Sequence, residues 1–250
     1  MSYKWYVGVP HCHTNASDGK LTLEEVIKKA KKKLEHHNNL IKIGITGSYA
    51  TTSVKNILTT MLSRKYNVCC SPLSYNTPLG LSKTVLEFLN SKDQVLVAEM
   101  GARYVGDIKE LCEIIEPDIG ILTGVGNQHL LTFKSKENLI KTKSELTDYI
   151  CQTDGKMFFN GQNEDCKILY DNCSCSKTLS LPFDENENLY AKDIEHTQRG
   201  VSFTLVHKGK EYQTNATLLG KHNVSNIVLC ANVCLSLGLT PRNCISLRFA

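Results

Sequence analysis

The chain has 250 residues, enough for one large domain or two small ones with an ample buried core. With 41% hydrophobic and 22% charged residues it is composed like an ordinary globular protein, which excludes a disordered or fibrous chain. A net charge of +4, from 29 basic and 25 acidic residues, is too small to indicate nucleic acid, and no apolar run approaches the about 18 residues of a membrane span.

The N-terminus, Met1 to Trp5, lacks the apolar core of a signal peptide, so a cytoplasmic protein is expected. The eleven cysteines are odd in number and irregular in spacing, which predicts reduced thiols, several of them buried. Neither Cys69-Cys70 nor Cys173-Ser174-Cys175 has the paired spacing of a zinc quartet.

Residues 1–40 form a polar, basic N-terminal segment. Within it, Leu23, Val26, Ile27, Ala30 and Leu34 recur at helical spacing, with Thr22 as N-cap and Glu25 completing a capping box. The lysines from Lys28 to Lys33 read as the solvated face of that helix. From Ile41 onward short apolar runs alternate with amphipathic stretches. Ile41–Thr46, Val95–Ala98, Ile119–Leu122 and Met157–Phe159 read as buried strands. Helices are predicted from Thr52 to about Arg64 and near 80–90, 106–116 and 136–151. Buried strands alternating with helices predict an α/β fold, a mostly parallel sheet with helices on both faces. A small antiparallel section near 188–218 follows, with strands at 201–206 and 212–218 joined by the turn His207-Lys208-Gly209-Lys210. A last helix spans about 223–237, and residues 241–250 read as the start of a further domain.

The most informative stretch is Gly44-Ile45-Thr46-Gly47-Ser48-Tyr49-Ala50-Thr51-Thr52-Ser53. A strand running through small residues into a helix start is the layout of a phosphate cradle, whose N–H groups and helix dipole face an anion. Thr52 stands where a hydroxyl can ligate Mg²⁺. A working loop of this kind has Gly and Lys just before that threonine, whereas here stand Ala50 and Thr51. On the loop alone, a tight strand-to-helix turn explains the residues as well as nucleotide binding does.

Seven blocks, the first within this loop, run in order: Thr46-Gly47-Ser48-Tyr49, Ser74-Tyr75-Asn76-Thr77-Pro78-Leu79-Gly80, Glu99-Met100-Gly101-Ala102-Arg103, Gly106-Asp107-Ile108, Val125-Gly126 with His129, Lys143-Ser144-Glu145-Leu146, and Gly220-Lys221-His222-Asn223-Val224-Ser225-Asn226. Together they cover about 41–240, and over that span the chain resembles the central ATP-binding domain of the Mur ligase family, most closely its D-alanyl-D-alanine-adding branch. The resemblance implies that ATP phosphorylates a carboxylate of a UDP-sugar peptide and that an amine, here D-alanyl-D-alanine, attacks the acyl phosphate. It also implies a P-loop-type nucleotide site with ATP and Mg²⁺ as cofactors. On it, Thr46, Gly47, Ser48, Tyr49, Ala50, Thr51, Thr52 and Ser53, with His222, Asn223 and Asn226, are the nucleotide contacts. Thr52, Glu99 and His129 match metal-site positions. Lys143 matches a lysine that the family carbamylates to hold a second Mg²⁺, which needs a depressed pKa because only the neutral amine reacts with CO₂. Glu99, His129 and Lys143 are thus the catalytic candidates, and Ser74, Tyr75, Asn76, Thr77 and Arg103 the candidates facing the UDP-sugar peptide.

Thr51 is the main departure, because the family has a lysine there. Losing one charge-assisted contact costs on the order of 1.5–3 kcal/mol, and losing a transition-state donor costs roughly 10²–10³ in rate. Ala50 brings a Cβ where positive φ is expected, a strain of about 1–2 kcal/mol. Lys55, one helical turn on, is expected to point away from the loop. Weak ATP binding and little or no turnover follow. Residues 1–40 and the ten after Thr240 are too short for the flanking domains of a complete ligase, so full activity is not expected from this chain alone. The alternative is a catalytically inactive scaffold or regulator with the ligase fold. Separately, His11-Cys12-His13-Thr14 through Thr22 resembles the opening motif of PHP metal-dependent phosphoesterases, implying a possible second metal site at His11 and His13 and a third function, phosphoester hydrolysis.

Overall fold

The computed structural model describes residues 21–126, 135–198, 200–245 and 247. Helix α1 (Leu23–Glu35) opens with the predicted capping box: Glu25 N–H donates to Thr22 Oγ1, and Thr22 N–H to the Glu25 carboxylate. Its buried side, Val26, Ala30 and Leu34, packs on the main body. Most of the lysine run is exposed as expected, but Lys33 is not: its Nζ donates to the carbonyls of Leu86 and Leu89 and so closes the end of another helix.

The main body is a six-stranded, wholly parallel sheet in the order β2-β3-β1-β4-β5-β6. Its strands are β1 (Ile41–Thr46), β2 (Val68–Cys70), β3 (Val95–Glu99), β4 (Ile119–Leu122), β5 (Lys156–Asn160) and β6 (Ser176–Ser180). Alternate strand residues feed two separate cores. Ile43, Ile45, Val95, Val97, Ile121 and Phe158 pack under α2 (Thr51–Leu62), the C-terminal helix α7 (Lys221–Ser236) and the small sheet. Leu96, Ala98, Leu122, Met157 and Phe159 face α1, α3 (Pro78–Lys83), α4 (Asp107–Ile115), α5 (Lys136–Gln152) and α6 (Glu164–Asn172). Apolar burial on both faces is why these strands read as continuous hydrophobic runs.

Strands β2 and β6 and helix α6 were not anticipated. β2 is three residues long, and β6 is the polar edge sequence Ser-Lys-Thr-Leu-Ser. The helix expected near 80–90 is divided, with α3 passing into a π-helical turn at Thr84–Phe88. The antiparallel sheet consists of β7 (Leu189–Thr197), β8 (Gly200–His207) and β9 (Lys210–Ala216). Its β8–β9 turn falls at Lys208 and Gly209, both at positive φ, as a two-residue hairpin requires. Residues beyond 240 also pack. A 3₁₀ turn at Pro241–Cys244 buries Cys244, and Leu247 pairs with Ala216 and is buried. Among the described residues no helix is long and apolar enough to cross a membrane.

Candidate nucleotide and metal site

Strand β1 lies between β3 and β4, so the chain leaves it toward one side of the sheet and returns on the other. The crevice at the carboxyl ends of such strands is where open α/β sheets bind ligands. Three loops meet there: 47–50 after β1, 100–106 after β3 and 123–126 after β4.

The first loop is pinned to the third. Ser48 N–H donates to the Gly124 carbonyl at 2.8 Å, Thr123 Oγ1 donates to the Tyr49 carbonyl at 2.6 Å, and Asn163 Nδ2 donates to Tyr49 Oη at 3.1 Å. This closeness requires glycine twice: a Cβ on Gly47 would overlap Thr123 Oγ1, and one on Gly124 would overlap the Tyr49 ring. Ala50 is the N-cap of α2 at φ 61° and ψ 4°, the left-handed region, without a side-chain cap. The expected positive φ is therefore present, and Ala50 bears the strain of about 1–2 kcal/mol that its Cβ causes there. Ser48 Oγ is buried without a hydrogen-bond partner, an unused polar atom inside the cradle.

Glu99 stands at the carboxyl end of β3 and is 3% exposed. Thr51 Oγ1 and Thr52 Oγ1 both donate to its Oε1, at 3.0 and 2.9 Å. Its Oε2 lies 3.0 Å from Lys55 Nζ, itself 2% exposed. Lys55 points into the site, contrary to expectation. Helical side chains lean toward the N-terminus and stack at i and i+4, so Lys55 lies on the same face as Thr51 and returns to the loop. Its ammonium donates a short hydrogen bond to the Leu73 carbonyl. Glu99 Oε2 is thus compensated by charge but receives no aligned hydrogen bond.

Lys143, on α5, is 3% exposed and donates to Thr46 Oγ1 at 3.3 Å; that hydroxyl in turn donates to the Met100 carbonyl at 3.0 Å. Burial pushes the Lys143 ammonium down to about 8, against the smaller opposing pull of Glu145 and Asp107. Glu145, two residues on, receives Gly106 N–H and Lys109 N–H and so caps α4.

A cavity of about 440 Å³ opens beside the loop, lined by Tyr49, Ala50, Ser53, Asn160, Gln162, His222, Ser225 and Asn226. It joins the loop residues to His222 and Asn226 of α7. Asn223 lies behind them, its amide donating to the Leu219 carbonyl and accepting from Asn226. Sequence reasoning missed Asn160, Gln162 and Ser225. Asn160 ends β5 at the strands' carboxyl edge, which marks it as a site position once the sheet order is known.

The sugar-peptide candidates are more scattered. Thr77 Oγ1 accepts from Gly80 N–H and caps α3, while Gly101 N–H donates to the Asn76 carbonyl, joining this loop to the one after β3. Arg103 is exposed, with its backbone N–H on Asp107. His129, His11 and His13 lie outside the described residues.

The arrangement supplies a glycine-tight loop running into a helix start, a buried carboxylate beside two hydroxyls, a lysine of depressed basicity and an adjoining cavity of about 440 Å³. Hydroxyl and carboxylate oxygens at one point suit a hard divalent cation, and Glu99 Oε2 retains acceptor capacity toward one.

A family description, the Mur ligase middle domain, matches residues 45–234. The UDP-N-acetylmuramoyl-tripeptide–D-alanyl-D-alanine ligase of Borreliella burgdorferi is 30% identical over 202 residues, covering 80% of this chain and 42% of that protein. The enzyme of the same name from Bacillus subtilis is 28% identical over 201 residues, with the same coverage. The chain therefore spans about two fifths of the length of these curated relatives. In fold it resembles MurF from Acinetobacter baumannii (TM-score 0.81, 24% identity, 90% of this chain and 49% of that one). It likewise resembles the MurF ligase from Thermotoga maritima solved in complex with ADP (TM-score 0.80, 23% identity, 96% and 56%). The phosphoesterase reading of residues 11–22 gains no support from these comparisons. With most of its length matched by one family description and its sheet and loops arranged as that fold requires, the chain belongs to the Mur ligase family, whose middle domain it carries.

Proposed function

We propose that this chain is the nucleotide-binding part of an ATP-dependent ligase of cytoplasmic peptidoglycan precursor synthesis, of the kind that joins D-alanyl-D-alanine to UDP-N-acetylmuramoyl tripeptide, and that its altered loop leaves it little or no turnover. The observation that carries the reading is the cavity beside the loop, which brings Tyr49, Ala50 and Ser53 together with the α7 residues His222 and Asn226. Amide side chains there can both donate to and accept from an adenine edge. The ADP in the Thermotoga maritima relative supports the same class of ligand.

In this reading a carboxylate oxygen of the sugar peptide attacks the γ-phosphorus of ATP and ADP leaves; the amine of the dipeptide then attacks the acyl carbon and phosphate leaves. The loop N–H groups and the α2 N-terminus hold the phosphates in line. Thr52, Glu99, His129 and a carbamylated Lys143 are the residues that would hold Mg²⁺, which when bound neutralises charge on the transferring phosphoryl group. The depressed basicity of Lys143 supports carbamylation, since it leaves a useful fraction of neutral amine near neutral pH.

A second reading, an inactive scaffold or regulator with the ligase fold, is favoured by one specific contact. Lys55 already neutralises Glu99, and no lysine stands at position 51 to reach the phosphates. Photolabelling with an azido-ATP probe and Mg²⁺, on this chain and on an Ala50→Gly/Thr51→Lys form, tests the site. Label should map to residues 160–163 or 221–226 and be displaced by ATP, more strongly in the revertant. If label reaches neither segment in either form, the nucleotide assignment fails.

A further inference from the structure

At the far end of the sheet lies a cluster that the proposed reaction does not use. Cys151 sits in the last turn of α5, Cys173 caps the C-terminus of α6, and Cys175 precedes β6. The Cys151 and Cys173 sulfurs are 3.6 Å apart, those of Cys173 and Cys175 are 3.3 Å apart, and all three lie within 4.8 Å of one another. The neighbouring register is Lys156 with Ser176, the amino ends of β5 and β6, whereas the nucleotide cavity is at their carboxyl ends.

Three features set this group apart from cysteines that merely fill a core. Cys230, Cys234 and Cys244 are fully enclosed in the apolar cluster under α7 and behave as small hydrophobes. Cys151 and Cys175, by contrast, are half-buried around a buried Cys173, with exposed Ser174 between, so the group lies at the protein surface and not within the apolar core. The turn that carries them is held in place. Lys177 Nζ donates to the carbonyls of Tyr170 at 2.7 Å and Cys173 at 2.9 Å, and lies 4.5 Å from the Tyr170 ring centre. Finally, the sulfur spacing is close to that of a thiolate metal centre. A tetrahedral ion with Zn–S bonds of about 2.3 Å places its sulfurs about 3.8 Å apart, so the Cys151–Cys173 and Cys173–Cys175 pairs need to open by only a few tenths of an ångström, and the third pair already lies within 4.8 Å.

We propose that Cys151, Cys173 and Cys175 form a binding site for a thiophilic divalent metal ion, zinc in the first instance, with a solvent molecule as fourth ligand. Each thiol releases its proton to solvent as its sulfur coordinates the ion, and no electron is transferred. Three thiolates on a divalent ion leave one net negative charge, which the nearby Lys177 ammonium offsets. The ion ties the end of α5 to the α6–β6 turn and so fastens the polar edge of the sheet.

The full chain, reduced with a phosphine and freed of metal, is titrated with Co²⁺ and then with Zn²⁺. Co²⁺ should give a thiolate-to-metal charge-transfer band that saturates at one equivalent and is abolished by Zn²⁺. Losing a ligand should cost at least as much as losing an outer-sphere partner, so Cys173→Ser should weaken binding by roughly 10–100-fold or more. Cys70→Ser and a His11→Ala/His13→Ala form should keep the band. In the unmodified chain, Zn²⁺ should also protect Cys151, Cys173 and Cys175 from alkylation, a readout that needs no variant to fold. Absence of a thiolate band, its persistence in Cys173→Ser, or protection of other cysteines instead would overturn the site.

Discussion

On one side of the cavity stand Asn160, Gln162, His222, Ser225 and Asn226, with Asn160 tied to the Thr123 carbonyl and the Gln162 N–H, and Asn226 donating to Asn223. On the other, Ala50 is strained in the left-handed region, Thr51 turns its hydroxyl onto Glu99, and Lys55 covers the second carboxylate oxygen. Both sides are partly engaged by their own contacts; the phosphate side differs in holding a buried charged pair, Lys55 with Glu99, beside an unpartnered Ser48 Oγ. The backbone frame of the loop after β1 is set by Gly47 and Gly124 and by its contacts with the loop after β4. The cation nearest Glu99 is Lys55, on the same helical face as Thr51.

The largest effect should come from breaking the internal pair. Lys55→Met leaves Glu99 buried and uncompensated and should cost roughly 3–5 kcal/mol in urea unfolding. A Lys55→Met/Glu99→Met form should recover most of that loss, and millimolar Mg²⁺ should recover part of it in the single variant. A loss below about 1 kcal/mol would mean that the pair behaves like a surface contact.

Lys143 should act in the opposite direction. Its native pKa of about 8 lies below its ordinary 10.5, so between these values the unfolded chain binds more protons and native stability rises with pH. The burial penalty is fully present below about pH 8. Lys143→Met should therefore stabilise the fold by about 1–2 kcal/mol at neutral pH, with the advantage fading as pH rises toward 10.5. A difference that does not change with pH would contradict the burial of a charged amine there.

Ala50→Gly should raise stability by about 0.5–1 kcal/mol, because relief of left-handed strain outweighs glycine's greater freedom when unfolded. Thermal unfolding reads this, and a decrease would place the strain elsewhere. The smallest effect belongs to exposed Gln162. Gln162→Ala should leave stability within about 0.5 kcal/mol while weakening nucleotide binding in the lysine revertant by about 1 kcal/mol, or roughly fivefold. Unchanged affinity would remove Gln162 from the base side.

Much of the frame is legible in the residues themselves. The apolar runs of β1, β3, β4 and β5, the Thr22–Glu25 box and the Lys208-Gly209 turn each carry a local signal strong enough to survive folding. β2 and β6 are not legible, because an edge strand is specified by the neighbour it pairs with rather than by its own pattern. Helix α6 is missed for a related reason: its apolar side is small, and only its Asn163 cap announces it. The site shows the same division. The loop from Thr46 to Ser53 could be read directly and Ala50's positive φ anticipated, but Asn160 and Gln162 enter the cavity only because β5 lies beside β4. The orientation of Lys55 was knowable from helix geometry, since position i+4 from Thr51 shares its face.

The most direct test is calorimetric titration with a non-hydrolysable ATP analogue and Mg²⁺, on the chain as it stands and with Ala50→Gly and Thr51→Lys together. Micromolar binding by the revertant alone is the expected result, showing an intact base side and a phosphate side disabled by those two residues. Equal binding by both forms would show that Lys55 or the loop amides already suffice and that Ala50 and Thr51 do not disable the phosphate side.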